Sequence, residues 1–322
     1  MNTIPEINRD IIVFMKFGSN LYGTNTPNSD IDYAGVYMPS LTDDLLLGRI
    51  KPSISFSTKK GDGKNTQDDI DNKIYSLHHF IDLSCKGETA ALDMLHAPDE
   101  MILQTSGIWK DITRNREKFY TKNLGAFLGY ARKQASKYGI KGSRLNAAKE
   151  FAELLRVYEY DTKMFEIWDK IKSNDHVVFI GPNENKVQQV EVCGRIFQDR
   201  YKTGYVLDIM EKIIKNYGHR AELAARNEGV DWKAVSHALR ASYQIIEVLT
   251  EKTITFPLKE AKYIKEVKSG VLDYASEVSP KLESLISMVE ELSSKSDLPE
   301  KVNKEYWDNF IVDNIVEYYG IF

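Results

Sequence analysis

The amino-acid sequence predicts an α+β fold, in which a region of short strands and helices precedes a mainly α-helical region that carries a β-hairpin. Short apolar runs bounded by Gly and polar loops are concentrated before about residue 105, and such runs are typical of strands. Beyond that point, apolar residues recur at three- and four-residue steps, which is typical of amphipathic helices. A β-rich interruption lies near 176–197. We therefore expect one domain over 1–105 and a helical domain over 106–322.

The first region contains three predicted strands. Ile11–Phe17 is a short apolar run that ends abruptly at Gly18, and a polar loop extends from Gly18 to Ser29. Ile31–Tyr37 follows as a second strand, able to form an antiparallel or mixed pair with the first. A turn-rich loop, Thr58–Asp68, then separates it from a third strand, Asp69–Leu77. Helical spacing predicts two short helices next, His78–Gly87 and Ala90–Leu95.

The second region is predicted to be helical apart from one hairpin. The hairpin strands are His176–Ile180 and Val187–Phe197, which flank the turn Gly181–Asn185. The last predicted helix is strongly charged and is a candidate for a break at Pro280. The predicted helices are Leu124–Tyr138, Leu145–Tyr160, Val206–Arg226, Trp232–Thr250 and Leu258–Leu292.

Composition excludes several classes of protein. With 42% hydrophobic and 28% charged residues, the 322-residue chain has the profile of a globular protein. The net charge of −4 means that any surface for nucleic acid must be local. Cys85 and Cys193 show no metal-binding spacing and fit a reducing compartment. No apolar run approaches the length of a membrane span, so we expect a cytoplasmic protein without a membrane partner.

One group of residues in the first region indicates a metal- and phosphate-binding site. Asp30 and Asp32 are two residues apart at a predicted strand, so both carboxylates point to the same face and repel each other unless a cation lies between them. Oxygen ligands of this kind suit Mg²⁺ or Mn²⁺. A two-metal site needs a third acid on an adjacent strand, for which Asp71 is the first candidate and Asp69 its rival. Gly18 and Ser19 could approach a phosphate closely.

The residues from 17 to 37 resemble a known family. FGSNLYGTNTPNSDIDYAGVY is similar to the pattern of polymerase-β-like nucleotidyltransferases, in which Gly-Gly or Gly-Ser is followed by a loop and then by an Asp-x-Asp motif. The likeness is greatest to the RNA-ligase-associated nucleotidyltransferases of phages and bacteria. The helix around Lys233, His237 and Arg240 resembles the Lys, His and Arg helix of the same family.

The resemblance implies a fold, a reaction and a site. The fold would be a small mixed β-sheet core with flanking helices, and residues 1–105 would be the catalytic domain. The reaction would move a nucleoside monophosphate from an NTP such as ATP to an acceptor hydroxyl, plausibly at an RNA 3′ end in tRNA or RNA repair, with release of pyrophosphate. Asp30, Asp32 and Asp71 would be the catalytic and metal-binding residues for two Mg²⁺ or Mn²⁺ ions. The nucleotide-binding residues would be Gly18, Ser19, Gly23, Ser29, Lys233, His237 and Arg240.

Three alternatives stay open at the level of sequence. Lys233, His237 and Arg240 recur at positions i, i+4 and i+7, which is also the spacing of a solvated polar helix face. The acceptor could be a protein or a small molecule instead of RNA. The chain could also be a non-catalytic, antitoxin-like binding module, although such a module need not keep three acids.

Overall fold

The computed structural model describes residues 8–27, 29–58, 69–122, 143–174, 176–183, 185–224 and 226–321. For residues 143–145, 216–222 and 224, only the backbone is described. The chain divides into two compact units, of which the first comprises Met1–Ala131, Ser236–Val271 and Leu285–Phe322, and the second Arg132–Val235 and Leu272–Ser284. The domain boundary near residue 105 stays a prediction. These units group the chain differently, since two C-terminal segments belong to the first unit.

The first unit is built on a five-stranded mixed sheet, which confirms the predicted fold class. The strands lie in the order β3-β4-β2-β1-β5. Strand β1 is antiparallel to β2 and β5, strand β3 is antiparallel to β4, and β2 and β4 are parallel. The strand bounds are β1 (Ile11–Lys16), β2 (Ile31–Tyr37), β3 (Ser53–Ser57), β4 (Ile70–Ser76) and β5 (Ile102–Thr105).

The helices of the described chain agree broadly with the sequence pattern. Their bounds are α1 (Gly18–Tyr22), α2 (Leu77–Cys85), α3 (Thr89–Leu95), α4 (Gly107–Arg114), α5 (Ser143–Arg156), α6 (Thr203–Ala224), α7 (Trp232–Glu251), α8 (Ala261–Ser269), α9 (Ser279–Lys295) and α10 (Lys304–Tyr319). The predicted helix Leu124–Tyr138 lies outside the described residues. Among the helices that the structure describes, none combines the length and apolar character needed to cross a membrane.

The two faces of the five-stranded sheet bury different sets of side chains. Ala34 and Tyr75 belong to the larger core, to which α2, α3, α4, α7 and α10 contribute. Asp32 lies two residues before Ala34 on β2, and Asp71 lies four residues before Tyr75 on β4. Because side chains on a strand alternate between the two faces, both acids lie on the helix-covered face. Among the described residues, four buried side chains form a small core on the opposite face: Phe14, Tyr33, Tyr37 and Ile74.

A buried histidine lies within the larger core region. The Nδ1 atom of His96 is 2.7 Å from the carbonyl oxygen of Leu92, and its Nε2 atom is 2.6 Å from the hydroxyl of Tyr120. Because a carbonyl can only accept, Nδ1 donates and Nε2 accepts from Tyr120, which requires a neutral ring. Burial lowers the pKa of His96 to about 4. His96 is therefore an uncharged structural group near neutral pH.

The second unit contains a three-stranded antiparallel sheet where the sequence predicts a two-stranded hairpin. Its strands lie in the order β6 (Val177–Pro182), β7 (Gln188–Val192) and β8 (Arg195–Gln198). The predicted strand Val187–Phe197 is divided by a turn at Cys193 and Gly194, with φ angles of 51° and 78°. Two consecutive positive φ angles are typical of the tight turns that join hairpin strands. Such turns usually contain Asn-Gly or Asp-Gly, so the pair Cys-Gly did not indicate a turn.

Three other local predictions differ from the structure. The last long helix is divided at Gly270, whose φ is 72°, and Pro280 lies instead in the first turn of α9, where its missing N–H costs nothing. Residues 18–22 of the predicted loop form the short helix α1, which ends at Gly23 in the left-handed conformation. The sequence analysis also missed strand β3 (SISFS), although its alternation of Ser with Ile54 and Phe56 is a strand pattern, and strand β5, which has only four residues.

Candidate active site

Three carboxylates converge at one edge of the five-stranded sheet. Strands β2 and β4 are parallel neighbours, and Asp32 is the register partner of Asp71. Asp30 precedes β2 by one residue and shares the face of Asp32. One oxygen atom from each of these three side chains lies within 4.8 Å of the other two, and all three residues are half-buried. This arrangement fits a divalent cation, since like charges at this separation repel in its absence.

The rival third acid, Asp69, has a different position. Its backbone carbonyl accepts a hydrogen bond of 3.0 Å from the N–H of Ile31, just before β4 begins. Within the part of the chain that the structure describes, the three-carboxylate cluster contains Asp71 and does not contain Asp69. The geometry therefore brings together the set that the sequence ranks first.

Gly18 lies directly against the acids. Its φ is 62°, and a Cβ atom at this position would come within 2.0 Å of Oδ2 of Asp32. The neighbouring N–H of Phe17 donates a 2.8 Å hydrogen bond to the carbonyl of Asp32. A residue with a side chain would be strained by the φ angle and would displace the carboxylate, so only Gly fits here.

Ser19 follows in α1 and carries an unsatisfied polar atom. Its hydroxyl oxygen is buried, and no described residue offers it a hydrogen-bond partner. Buried hydroxyls are nearly always hydrogen-bonded in folded proteins, so an atom of this kind is suited to a ligand that the chain itself does not supply. Ser19 therefore fits the phosphate-binding role that the family resemblance implies.

Gly23 and Ser29 have local structural contacts. Gly23 ends α1 with a φ of 70°, and a Cβ atom there would lie 2.7 Å from Cβ of Pro257. The hydroxyl of Ser29 accepts a 2.9 Å hydrogen bond from the N–H of Thr26, which closes the turn before Asp30. These contacts shape the loop between Ser19 and the acids, and a direct role of Gly23 or Ser29 toward a nucleotide stays a prediction.

Arg240 contacts a buried acid that the sequence analysis missed. Asp93, in α3, is fully buried, and its Oδ2 accepts a 2.7 Å hydrogen bond from Nη1 of Arg240 and a 2.8 Å bond from the hydroxyl of Tyr22. Its Oδ1 accepts a 2.7 Å bond from Gln244. Burial raises the pKa of Asp93, and the charge of Arg240 and the three donors oppose that rise.

This buried network anchors α1. Tyr22 is the last residue of α1, and the guanidinium carbon of Arg240 lies 3.9 Å from the centroid of its ring. Burial raises the pKa of Tyr22 well above its ordinary value, so the hydroxyl stays protonated and donates to Asp93. The sequence signal for Asp93 was a single acid within the apolar run AALDML. Its partner Arg240 is 147 residues away, so the pairing could not be inferred.

The three helix residues predicted to bind the nucleotide have unequal surroundings. Arg240 is buried, His237 is half-buried and Lys233 is exposed. Lys233 belongs to the second compact unit, whereas His237 and Arg240 belong to the first. A role of these residues toward the triphosphate stays a prediction.

A cavity of about 430 Å³ adjoins the acids. It extends along the helix-covered face from Asp32 past Asp71 toward the edge strand β3. Lys73, two residues beyond Asp71 on β4, is exposed and holds its Nζ atom 5.2 Å from the ring centroid of Tyr75. The sequence gives no reason to single out Lys73. The lining residues are Phe17, Asp32, Tyr33, Ala34, Ser55, Phe56, Ser57, Asp71, Asn72, Lys73 and Tyr75.

Comparison with known proteins agrees with this geometry. The model of the family described as RlaP, RNA repair pathway DNA polymerase beta family, matches residues 3–158, which contain all three acids. An uncharacterized 38.9 kDa protein from the nrdC–mobD intergenic region of Enterobacteria phage T4 is 37% identical, over 93% of this chain and 95% of its own length. No solved structure matches the chain significantly. The chain therefore belongs to the RNA repair pathway DNA polymerase beta family of the polymerase-β nucleotidyltransferase superfamily.

Proposed function

We propose that the protein transfers a nucleoside monophosphate from an NTP to the terminal 3′ hydroxyl of an RNA, as a step in RNA repair. The observation that carries the proposal is the cluster of Asp30, Asp32 and Asp71, whose carboxylate oxygens lie within 4.8 Å of one another beside Gly18. The family supports a nucleotidyltransferase in RNA repair, and the choice of an RNA 3′ end as acceptor is our inference from it.

The donor set fits two divalent cations. Three carboxylates offer oxygen ligands alone, which favours Mg²⁺ or Mn²⁺ over metals that prefer nitrogen or sulfur. Bound there, the ions would neutralise the charge of the triphosphate and lower the pKa of the attacking hydroxyl. Asp30 and Asp32 would hold both ions, and Asp71 would hold the ion nearer the acceptor.

The side chains of the protein would then act mainly by positioning the triphosphate and the acceptor hydroxyl. Ser19 would donate its hydroxyl hydrogen to a phosphate oxygen, while Gly18 lets the backbone approach that phosphate. The acceptor oxygen forms a bond to the α-phosphorus, the bond from that phosphorus to the β-phosphate oxygen breaks, and pyrophosphate leaves. Asp71 would help to accept the proton that the hydroxyl loses. Little covalent help from the protein is needed, because phosphoryl transfer depends mainly on orientation and charge neutralisation.

A transfer assay tests the proposal. Wild-type protein, Mg²⁺, an α-labelled NTP and single-stranded RNA should give labelled RNA, whereas the Asp32→Asn variant should lose about 1,000-fold in rate or more, equivalent to several kcal/mol of transition-state stabilisation. Equal labelling by the two proteins would overturn the proposal. A mass gain on a protein or small-molecule acceptor with none on RNA would reassign the acceptor. Absence of Mg²⁺-dependent NTP binding would point to a binding module.

A further inference from the structure

A second, polar cavity of about 340 Å³ lies at the carboxyl end of α4, and we call it the α4 cavity. Helix α4 follows β5, the edge strand at the other end of the sheet from β3. Of the residues that the structure describes, none lines both the α4 cavity and the cavity beside the acids. The α4 cavity is therefore a separate feature, lined by Lys110, Thr113, Arg114, Arg116 and Glu117.

The lining of the α4 cavity is basic although the protein as a whole is acidic. Three of its five residues are basic and one is acidic, whereas the net charge of the chain is −4. Lys118, which follows the lining residue Glu117, is exposed and extends the basic surface. A local concentration of positive charge of this kind is typical of a surface that binds phosphate groups.

Helix stabilisation does not explain all of these charges. A cation in the last turn of a helix interacts favourably with the helix dipole, which accounts for Arg114. Lys110 lies in the first half of α4, however, and Arg116 lies beyond its end. Arg114 donates a 2.8 Å hydrogen bond to Asp111, but this pair is exposed and contributes little to stability. Among the described residues, no carboxylate lies at ion-pair distance from Lys110 or Arg116, so both can pair with an external anion.

Arg116 is held in place by a buried hydroxyl group. Burial raises the pKa of Tyr120, and the charge of Arg116 and its hydrogen bond to the Tyr120 hydroxyl oppose that rise. The same hydroxyl lies 2.6 Å from Nε2 of His96 in the core. A guanidinium group carries five N–H donors, so Arg116 keeps donors for the cavity while one side of it is fixed. An oriented arginine suits a phosphate, because its planar fork can form two parallel hydrogen bonds with phosphate oxygens.

The position of α4 in the first unit separates the α4 cavity from the acids. Strand β1 lies between β5, which leads into α4, and β2, which carries Asp32. Neighbouring strands are about 4.8 Å apart, so β5 lies about 10 Å from β2. We therefore expect a phosphate in the α4 cavity to be a different one from the phosphates at the acids. An RNA with its 3′ end at the acids could supply it from further along its backbone.

We propose that the α4 cavity binds backbone phosphates of a single-stranded RNA whose 3′ end lies at the acids, with Lys110, Arg114 and Arg116 as the phosphate ligands. This inference rests on the proposed function and adds a second contact with the RNA, outside the catalytic cavity. The contact would involve the phosphate backbone and not the bases, so it would strengthen the binding of any RNA sequence. It would leave NTP binding and the chemical step unchanged.

The test compares a long RNA with a dinucleotide in the full-length protein. Lys110→Met/Arg114→Met should weaken binding of a 3′-deoxy single-stranded RNA of about 20 nucleotides about tenfold. It should also reduce the slope of log affinity against log salt concentration by about 1.4, which is about 0.7 for each of two phosphate contacts. KM for the long RNA should rise. In contrast, kcat, KM for the NTP and KM for a dinucleotide, whose single phosphate lies beside the reacting end, should not change.

Two further double variants serve as controls. Lys110→Arg/Arg114→Lys keeps both charges and should retain the salt slope. Arg156 lies in the last turn of α5 and pairs with Glu153 three residues before it, as Arg114 pairs with Asp111. Lys149, in the same helix, is exposed. Lys149→Met/Arg156→Met therefore removes the same two charges, and it should change neither the RNA affinity nor its salt slope.

Three results would overturn the proposal. Equal losses of RNA affinity in the two double methionine variants would show that affinity follows the total charge and not the position of the charges. A rise in KM for the NTP or for the dinucleotide in Lys110→Met/Arg114→Met would make the α4 cavity part of the catalytic site. Displacement of the RNA by polyglutamate as readily as by unlabelled RNA of equal charge would replace RNA with an acidic protein partner.

The proposed function and this second RNA contact fail separately. If wild-type protein transfers nucleotide to RNA while Lys110→Met/Arg114→Met keeps the wild-type KM and salt slope, the function stands and the second contact is wrong. If wild-type protein binds RNA with the predicted dependence on Lys110 and Arg114 but transfers no nucleotide, the second contact is supported and the proposed function is wrong.

Discussion

The buried pair of Arg240 and Asp93 permits a quantitative prediction. Asp93 has no exposed side-chain surface, and the side chain of Arg240 is 11% exposed. Arg240→Met removes one charge and leaves the other buried without compensation, which typically costs about 3–5 kcal/mol of the free energy of unfolding. The change would be large, because the whole free energy of unfolding of a domain is about 5–15 kcal/mol.

A surface ion pair and a double variant serve as controls for this stability measurement. Arg114 and Asp111 form a 2.8 Å ion pair in which the arginine side chain is 74% exposed, so Arg114→Met should cost less than about 1 kcal/mol. Adding Asp93→Asn to Arg240→Met removes the stranded charge and keeps an oxygen acceptor for Tyr22. The double variant should therefore recover about 2 kcal/mol relative to Arg240→Met alone.

Equilibrium urea unfolding at neutral pH, followed by tryptophan fluorescence, measures these differences. The result also separates two roles for Arg240. A residue that served only as a phosphate ligand would weaken NTP binding when replaced and would leave stability within about 0.5 kcal/mol. If Arg240→Met unfolds at the urea concentration of the wild type, or if the double variant is less stable than Arg240→Met, the assignment of Arg240 to the network that anchors α1 is wrong.

Three further predictions concern other parts of the first unit. Gly18→Ala should reduce the transfer rate about 100-fold or more while the protein stays folded, because a methyl group there would displace the carboxylate of Asp32; full activity by single-turnover kinetics would refute this. Asp71→Asn should abolish transfer whereas Asp69→Asn should retain most of it, and the reverse pattern in the same assay would exchange their roles. His96 has a lowered pKa of about 4, so its contribution to stability is present above about pH 6.5 and is lost as the pH falls towards 4. Between pH 6.5 and 5, the wild type should lose about 2 kcal/mol more than His96→Gln in urea unfolding, and parallel pH profiles would contradict a buried neutral ring.

The clustering of the three acids was predictable from the sequence because its signal is local. Asp30 and Asp32 share a strand face by spacing alone, and Asp71 lies in a recognisable strand, so the parallel pairing of β2 and β4 was the single missing step. Gly18 was identified as a point of close approach, and the structure shows that the approaching group is Asp32. Periodicity and motif together therefore suffice to group candidate site residues that lie on neighbouring strands.

The buried network that anchors α1 was not predictable, because its residues are far apart in the sequence. Asp93 and Arg240 are 147 residues apart, and no local pattern indicates that an acid in an apolar helix will meet a charged helix so distant in sequence. Lys73 and Ser55 come together in the cavity lining only through the pairing of β4 with β3, which the sequence analysis did not identify. Interactions that depend on tertiary pairing are therefore visible only in the structure.

The central claim is that the three converging acids support metal-dependent nucleotidyl transfer to RNA. The most direct measurement is the rate of label transfer from an α-labelled NTP to single-stranded RNA by wild-type protein and by Asp32→Asn, each with Mg²⁺ and with EDTA. We predict transfer by the wild type with Mg²⁺ alone, and rates at least about 1,000-fold lower in the other three reactions. Equal transfer by the two proteins, or transfer by the wild type in EDTA, would contradict the claim.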